Sequence, residues 1–118
     1  MAYNEKLSDR IRERLVDIPK VEEKLMFGGV FYMVNGKMCV GVIKDEMMCR
    51  IDPDIFEEAL ERDECRPLDS SGKSMKGFVF VNEYGINTKK DFEYWIALCL
   101  EYNKQAKASP KKKIKRTQ

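Results

Sequence analysis

Histidine is absent from this chain of 118 residues, and that absence excludes more chemistry than any residue present supplies. Without an imidazole there is no Ser-His-Asp or Cys-His nucleophile pair, no histidine general base and no mixed Cys/His zinc site. Cysteine is sparse and scattered. Cys39, Cys49, Cys65 and Cys99 form no C-x-x-C pair, so zinc ribbons and thioredoxin-type redox pairs are not encoded, and a reduced, cytoplasmic protein is the expectation. Long apolar runs are missing too: the longest uncharged stretch, 25–36, contains Gly28 and Gly29 and ends in Asn35-Gly36, and the first residues carry no apolar segment. No membrane contact and no cofactor are expected.

What is present suffices for one core. Apolar residues make up 43% of the chain and aromatics 10%, spread along most of its length, which suits a single domain that folds without metal or disulfide. Charge is distributed unevenly: residues 1–106 carry 16 basic and 20 acidic side chains, whereas the last twelve positions hold six basic ones and no acid. The apolar pattern also stops near Lys104. The expected organisation is therefore a domain over 1–106 and a disordered basic tail over 107–118, whose Lys111, Lys112, Lys113, Lys115 and Arg116 are candidate contacts for nucleic-acid phosphates.

Periodicity predicts the elements. Leu7, Ile11, Leu15 and Ile18 recur at helical spacing before Pro19, giving an amphipathic helix over about 4–17. Two apolar runs flank Asn35-Gly36, a pattern that specifies a hairpin with a two-residue type I′ turn and pairs Val34 with Lys37. Regular alternation from that pair puts Phe31, Met33, Met38, Val40 and Val42 on the core face, and Val30, Tyr32, Val34, Cys39 and Gly41 on the other. A third strand over 47–51 places Cys49 and Ile51 inward and Met48 and Arg50 outward, so Cys39 and Cys49 are expected on opposite faces.

Asp52-Pro53 is an N-cap followed by proline at the first helical position, opening a short helix that runs to about Arg62. Residues 69–74 read as loop and 78–81 as a strand. Thr88 caps a last helix with Phe92, Trp95, Ile96, Cys99 and Leu100 on one side. The expected fold is α+β, two-layered, in the order α-β-β-β-α-β-α, with an antiparallel sheet carrying helices mainly on one face.

Chemistry-bearing motifs are weak. Gly72-Lys73-Ser74 resembles the end of a phosphate-binding loop, but Pro67 stands where that signature needs glycine. The carboxylate pairs Glu22-Glu23, Glu57-Glu58 and Asp63-Glu64 sit in charge-rich surroundings that give no reason for a raised pKa. The outer sheet face is more informative. With helices on one side only, Tyr32, Met48 and Arg50, with Cys39, Val79 and Val81, are left facing outward, and Lys76 stands exposed near the edge of the fourth strand. Tyr32, Met48, Arg50 and Lys76 are thus the candidate partner-binding residues, for a second copy or another protein.

Met26-Phe27-Gly28-Gly29, then Asn35-Gly36-Lys37-Met38-Cys39 with Gly41-Val42, then Arg66-Pro67 and Met75-Lys76-Gly77-Phe78-Val79 resemble, in order and spacing, the N-terminal domain of the TfoX/Sxy family. The likeness covers nearly all of residues 3–104. It implies a two-layer α/β domain without catalytic residues, and a role in regulating natural competence by acting with the cyclic-AMP receptor protein on transcription. Two positions depart from the pattern: a basic tail stands where relatives carry a helical second domain, and Asp52 stands where they often have glycine. The function expected is non-enzymatic regulation through protein contact, with a transcription factor or by homodimerisation. A nucleic-acid-binding module using the tail with Arg50 and Lys76, and a small cysteine-dependent enzyme, are the alternatives.

Overall fold

The computed structural model describes residues 3–26, 28–70 and 73–106. The first helix, α1 (Glu5–Arg14), starts where the Asn4 side chain accepts the Leu7 N–H, and it buries the Leu7 and Ile11 stripe while Arg12 is exposed and Arg10 and Arg14 are half-buried. Six strands come after it: β1 (Val21–Met26), β2 (Gly29–Val34), β3 (Lys37–Ile43), β4 (Glu46–Arg50), β5 (Cys65–Ser70) and β6 (Lys73–Val81). Between β4 and β5 lie a 3-10 turn, capped by Asp52 and carrying Pro53, and the short α2 (Phe56–Ala59). The last helix, α3 (Lys89–Asn103), is capped by the Thr88 hydroxyl, which accepts the Asp91 N–H.

The strands form one open antiparallel sheet in the order β1-β2-β3-β4-β6-β5. All the helices pack on one face. There α1 contributes Leu7 and Ile11, α2 Phe56 and Ala59, and α3 Phe92, Trp95, Ile96 and Cys99, against Val30, Tyr32, Val40, Val42, Met47, Cys49, Ile51, Val79 and Val81 from the sheet. Trp95 is 1% exposed, and each aliphatic or aromatic side chain buried this fully stabilises the fold by about 1.5–3 kcal/mol. The α+β architecture and the order of the helices and the four central strands agree with the periodicity. The structure adds edge strands β1 and β5, and it draws Asp69, Ser70, Lys73 and Ser74, read from the sequence as loop, into β5 and β6.

The turn at Asn35-Gly36 forms as expected, both residues having positive φ (56° and 76°), and Val34 pairs with Lys37. Beyond that pair the register changes. Met33 still faces Met38, but Tyr32 faces Val40, so Cys39 has no opposite residue and bulges. The bulge reverses the facing expected for β2. Val30, Tyr32 and Val34 point to the helices, whereas Phe31 and Met38 belong to a second cluster on the opposite face. Val40 and Val42 keep their predicted inward facing. Cys39 joins Cys49 and Cys99 in the helix-side core, so Cys39 and Cys49 share a face, against the expectation from a regular register; all four cysteines are free thiols.

Glycine is needed at specific approaches. A Cβ on Gly29 would lie 2.3 Å from the Val42 carbonyl oxygen, and one on Gly41 would lie 2.4 Å from the Phe31 ring, which therefore packs directly over that position.

Candidate functional site

The helix-free face carries its own apolar cluster. Phe31, Met48 and Phe80 form its buried centre, and Met26, Met38, Ile43, Leu68 and Phe78 are half-buried around it, so every strand contributes. Charged groups lie over this layer. The Arg66 guanidinium sits 4.5 Å from the centre of the Phe80 ring and forks onto Glu46, with Nε 3.1 Å from the carboxylate and Nη2 2.5 Å. Its side chain is 55% exposed, so the stacked pair presents cationic and aromatic surface together.

Arg50, at the end of β4, places its guanidinium 5.4 Å from the Phe78 ring and 5.8 Å from the Tyr102 ring of α3, while Nη1 donates to the Met38 carbonyl at 3.4 Å. It thereby joins the sheet end to the helical layer.

The four partner-binding residues named from the sequence do not come together. Met48 faces away from the helices as expected, but it is only 3% exposed, at the centre of the cluster. Arg50 is half-buried in the stack just described, and Lys76 is exposed before Gly77. Tyr32 is corrected outright: the bulge at Cys39 turns it beneath α1, where its hydroxyl lies 2.5 Å from Ser8 Oγ and donates to the Ser8 carbonyl at 3.1 Å. Burial raises its phenol pKa. Val79 and Val81 also face the helices, and their neighbours Phe78 and Phe80 take the opposite face.

Sequence reasoning missed Arg66, Leu68, Phe78 and Phe80 as surface candidates. The aromatic residues at positions 78 and 80, alternating with valines, were the available signal. The nucleic-acid candidates Lys111, Lys112, Lys113, Lys115 and Arg116 lie outside the described residues.

On the helical side, ion pairs tie α1 to the sheet and to α3. Arg12 forks onto Glu23 of β1 at 2.7 and 3.0 Å, and Arg14 forks onto Glu93 of α3 at 2.6 and 2.8 Å. These hydrogen bonds hold both carboxyls below the usual carboxylate range. Arg10 stacks 4.2 Å from the Phe92 ring, beside a groove between α1 and α3. The thiols sit in apolar surroundings: burial pushes Cys65 up to about 11 and raises Cys39 and Cys99 as well. Among the described residues, no cluster of three or more cysteine, aspartate or glutamate side chains is arranged to hold a metal ion. No described helix is long and apolar enough to cross a membrane.

These features define a two-layer α+β domain with helices on one side of an open sheet and a methionine-rich, arginine-capped aromatic cluster on the other. The family model described as the TfoX N-terminal domain matches residues 13–102, and the chain belongs to that family. The match begins at Glu13 near the end of α1 and runs through nearly the whole of α3, so the sheet, the helix-free cluster and Arg66 fall within it, whereas Leu7 and Ile11 of the helix-side core precede it. No curated protein and no solved structure matches the chain.

Proposed function

We propose that this TfoX-like regulatory domain works by binding, without catalysis of its own, and that the helix-free sheet face is where a protein partner docks. The observation that carries this reading is the cluster of Phe31, Met48 and Phe80, with its half-buried methionine, leucine and phenylalanine rim and the exposed Arg66 stacked on Phe80. Arginine, methionine and aromatic residues are enriched at interface centres, where a stacked guanidinium gives large contact area at little entropic cost. Methionines adapt to a partner's shape because their side chains are unbranched and polarizable.

Burial of the thiols, with the raised pKa values of Cys39, Cys65 and Cys99, supports binding over cysteine chemistry. Family membership supports a regulatory role, and the class of partner proposed for this face is a transcription factor, as the family resemblance implies.

The test is capture from native lysate, with and without nuclease, on immobilised wild type and Arg66→Glu, followed by hydrogen-exchange mapping with the captured partner. Binding weakened at least tenfold by Arg66→Glu, with new protection in β5 and β6, is expected. Protection confined to α1 and α3, or capture abolished by nuclease, would overturn the proposal.

A further inference from the structure

The two edges of the sheet are built differently. At one edge, β5 carries Pro67 and an irregular register between Pro67 and Asp69, both of which obstruct pairing with another strand. At the other, β1 pairs with β2 without a break from Val21 to Met26, has no proline, and has a neighbour on one side only. Four of its six side chains are exposed, and Leu25 is 74% exposed.

The ladder decides which backbone groups face outward. The Asn35 N–H bonds the Lys20 carbonyl at 3.1 Å, which makes Lys20 and Asn35 a hydrogen-bonded pair in the β1–β2 register. Alternation then turns the N–H and C=O of Glu22 and Lys24 toward β2, and those of Val21, Glu23 and Leu25 toward the open edge.

We infer that β1 is a homodimerisation edge, pairing antiparallel with β1 of a second copy about a two-fold axis through Glu23. Such an axis keeps the helices of both copies on one side of a continuous sheet, and it places residues of like facing opposite each other. Val21, Glu23 and Leu25 then each donate and accept one backbone hydrogen bond across the junction. On the helix-free side, Glu22 meets the partner's Lys24, and by symmetry Lys24 meets the partner's Glu22. On the helix side, Val21 meets the partner's Leu25, bringing that leucine to a groove lined by Leu15, Val16 and Ile18, where Val16 is itself 74% exposed.

Only Glu23 meets its own kind, and its carboxylate is already neutralised by the Arg12 fork. Moving the axis one residue to Lys24 would set two uncompensated ammonium groups face to face, which disfavours that register. The edge is thus self-complementary in hydrogen bonding, charge and apolar contact at the Glu23 register. The junction is made by the backbone edge of β1, whereas the proposed docking face centres on Phe80 and Arg66 at the other end of the strand order, so neither proposal rests on the other.

Sedimentation velocity of the full chain from 5 to 500 µM tests this, with circular dichroism to verify folding of each variant. A dimer is expected, with its Kd raised about tenfold in Glu22→Lys and in Lys24→Glu, where both cross-strand pairs become repulsive. Dimerisation should return in the Glu22→Lys/Lys24→Glu double variant, and in an equimolar mixture of the two single variants as a heterodimer. A chain that stays monomeric at 500 µM, or a dimer indifferent to both single exchanges, would overturn the assignment. So would a double variant no better than the singles.

Discussion

Replacing Tyr32 with phenylalanine tests which side of the sheet β2 turns to the helices. The ring is retained, so no cavity forms, and the change removes one hydroxyl from a fully buried site. That hydroxyl donates to the Ser8 carbonyl, which leaves Ser8 Oγ to donate to the tyrosine oxygen 2.5 Å away. Ser8 is itself 2% exposed. In Tyr32→Phe the serine hydroxyl loses a short acceptor in a dry site, while the Ser8 carbonyl keeps its helical partner. The expected loss is about 1–2 kcal/mol.

Ser8→Ala should cost less, about 0.5 kcal/mol, because the tyrosine still donates to the carbonyl and alanine is the better helix former. The double variant should resemble Tyr32→Phe alone, with a coupling of about 0.5–1 kcal/mol. Urea unfolding followed by circular dichroism measures each value, and the thermal midpoint of Tyr32→Phe should fall by roughly 4–10 °C. A loss below about 0.3 kcal/mol with no coupling to Ser8 would put Tyr32 on the solvated face, and the bulge at Cys39 would be wrong.

Gly29→Ala should destabilise by more than about 2 kcal/mol, since its Cβ would meet the Val42 carbonyl oxygen and the β2–β3 ladder would have to open. Gly36→Ala, at positive φ with open space around it, should cost only about 1 kcal/mol; comparable losses in urea titrations would contradict the close approach at Gly29. Glu23 and Glu93 have carboxyl pKa values lowered by their arginine forks, so the stability they contribute is complete above the unfolded value of about 4.3 and is lost as pH falls through the lowered values. Removing both forks by Arg12→Ala and Arg14→Ala should flatten the decline in stability below pH 4.3, and 1 M salt should erase the difference because the pairs are exposed; an unchanged pH profile would argue against the forks. Native alkylation at pH 7.5 should be on the order of a hundredfold slower than in denaturant for all four thiols, with Cys65 reacting first as the most accessible, and any thiol labelled at the free-cysteine rate would revive a cysteine-based activity.

The central elements were legible because each carries a local signal that its surroundings reinforce. Asn35-Gly36 dictates its turn through positive φ, Asp52-Pro53 and Thr88 each cap the helical turn next in the chain, and the stripes of α1 and α3 bury the sides their spacing indicates. The edge strands were not legible. β1 has both sides of its backbone ribbon exposed, and Val-Glu-Glu-Lys-Leu-Met therefore shows no alternation for a reader to find. In β5, Pro67 argues against a strand, and an edge position is where a strand tolerates it.

The sequence alone determined an α+β order, the hairpin turn and membership of the TfoX N-terminal domain family. Only the tertiary structure decided which face of β2 is inside. Both of its faces are apolar, so alternation could not choose between them, and one unopposed residue at Cys39 reversed the answer for Phe31, Tyr32 and Met33. That reversal moved the candidate surface from Tyr32 to Arg66 and Phe80, because a side chain's facing depends on the partner strand's register, which no local pattern records.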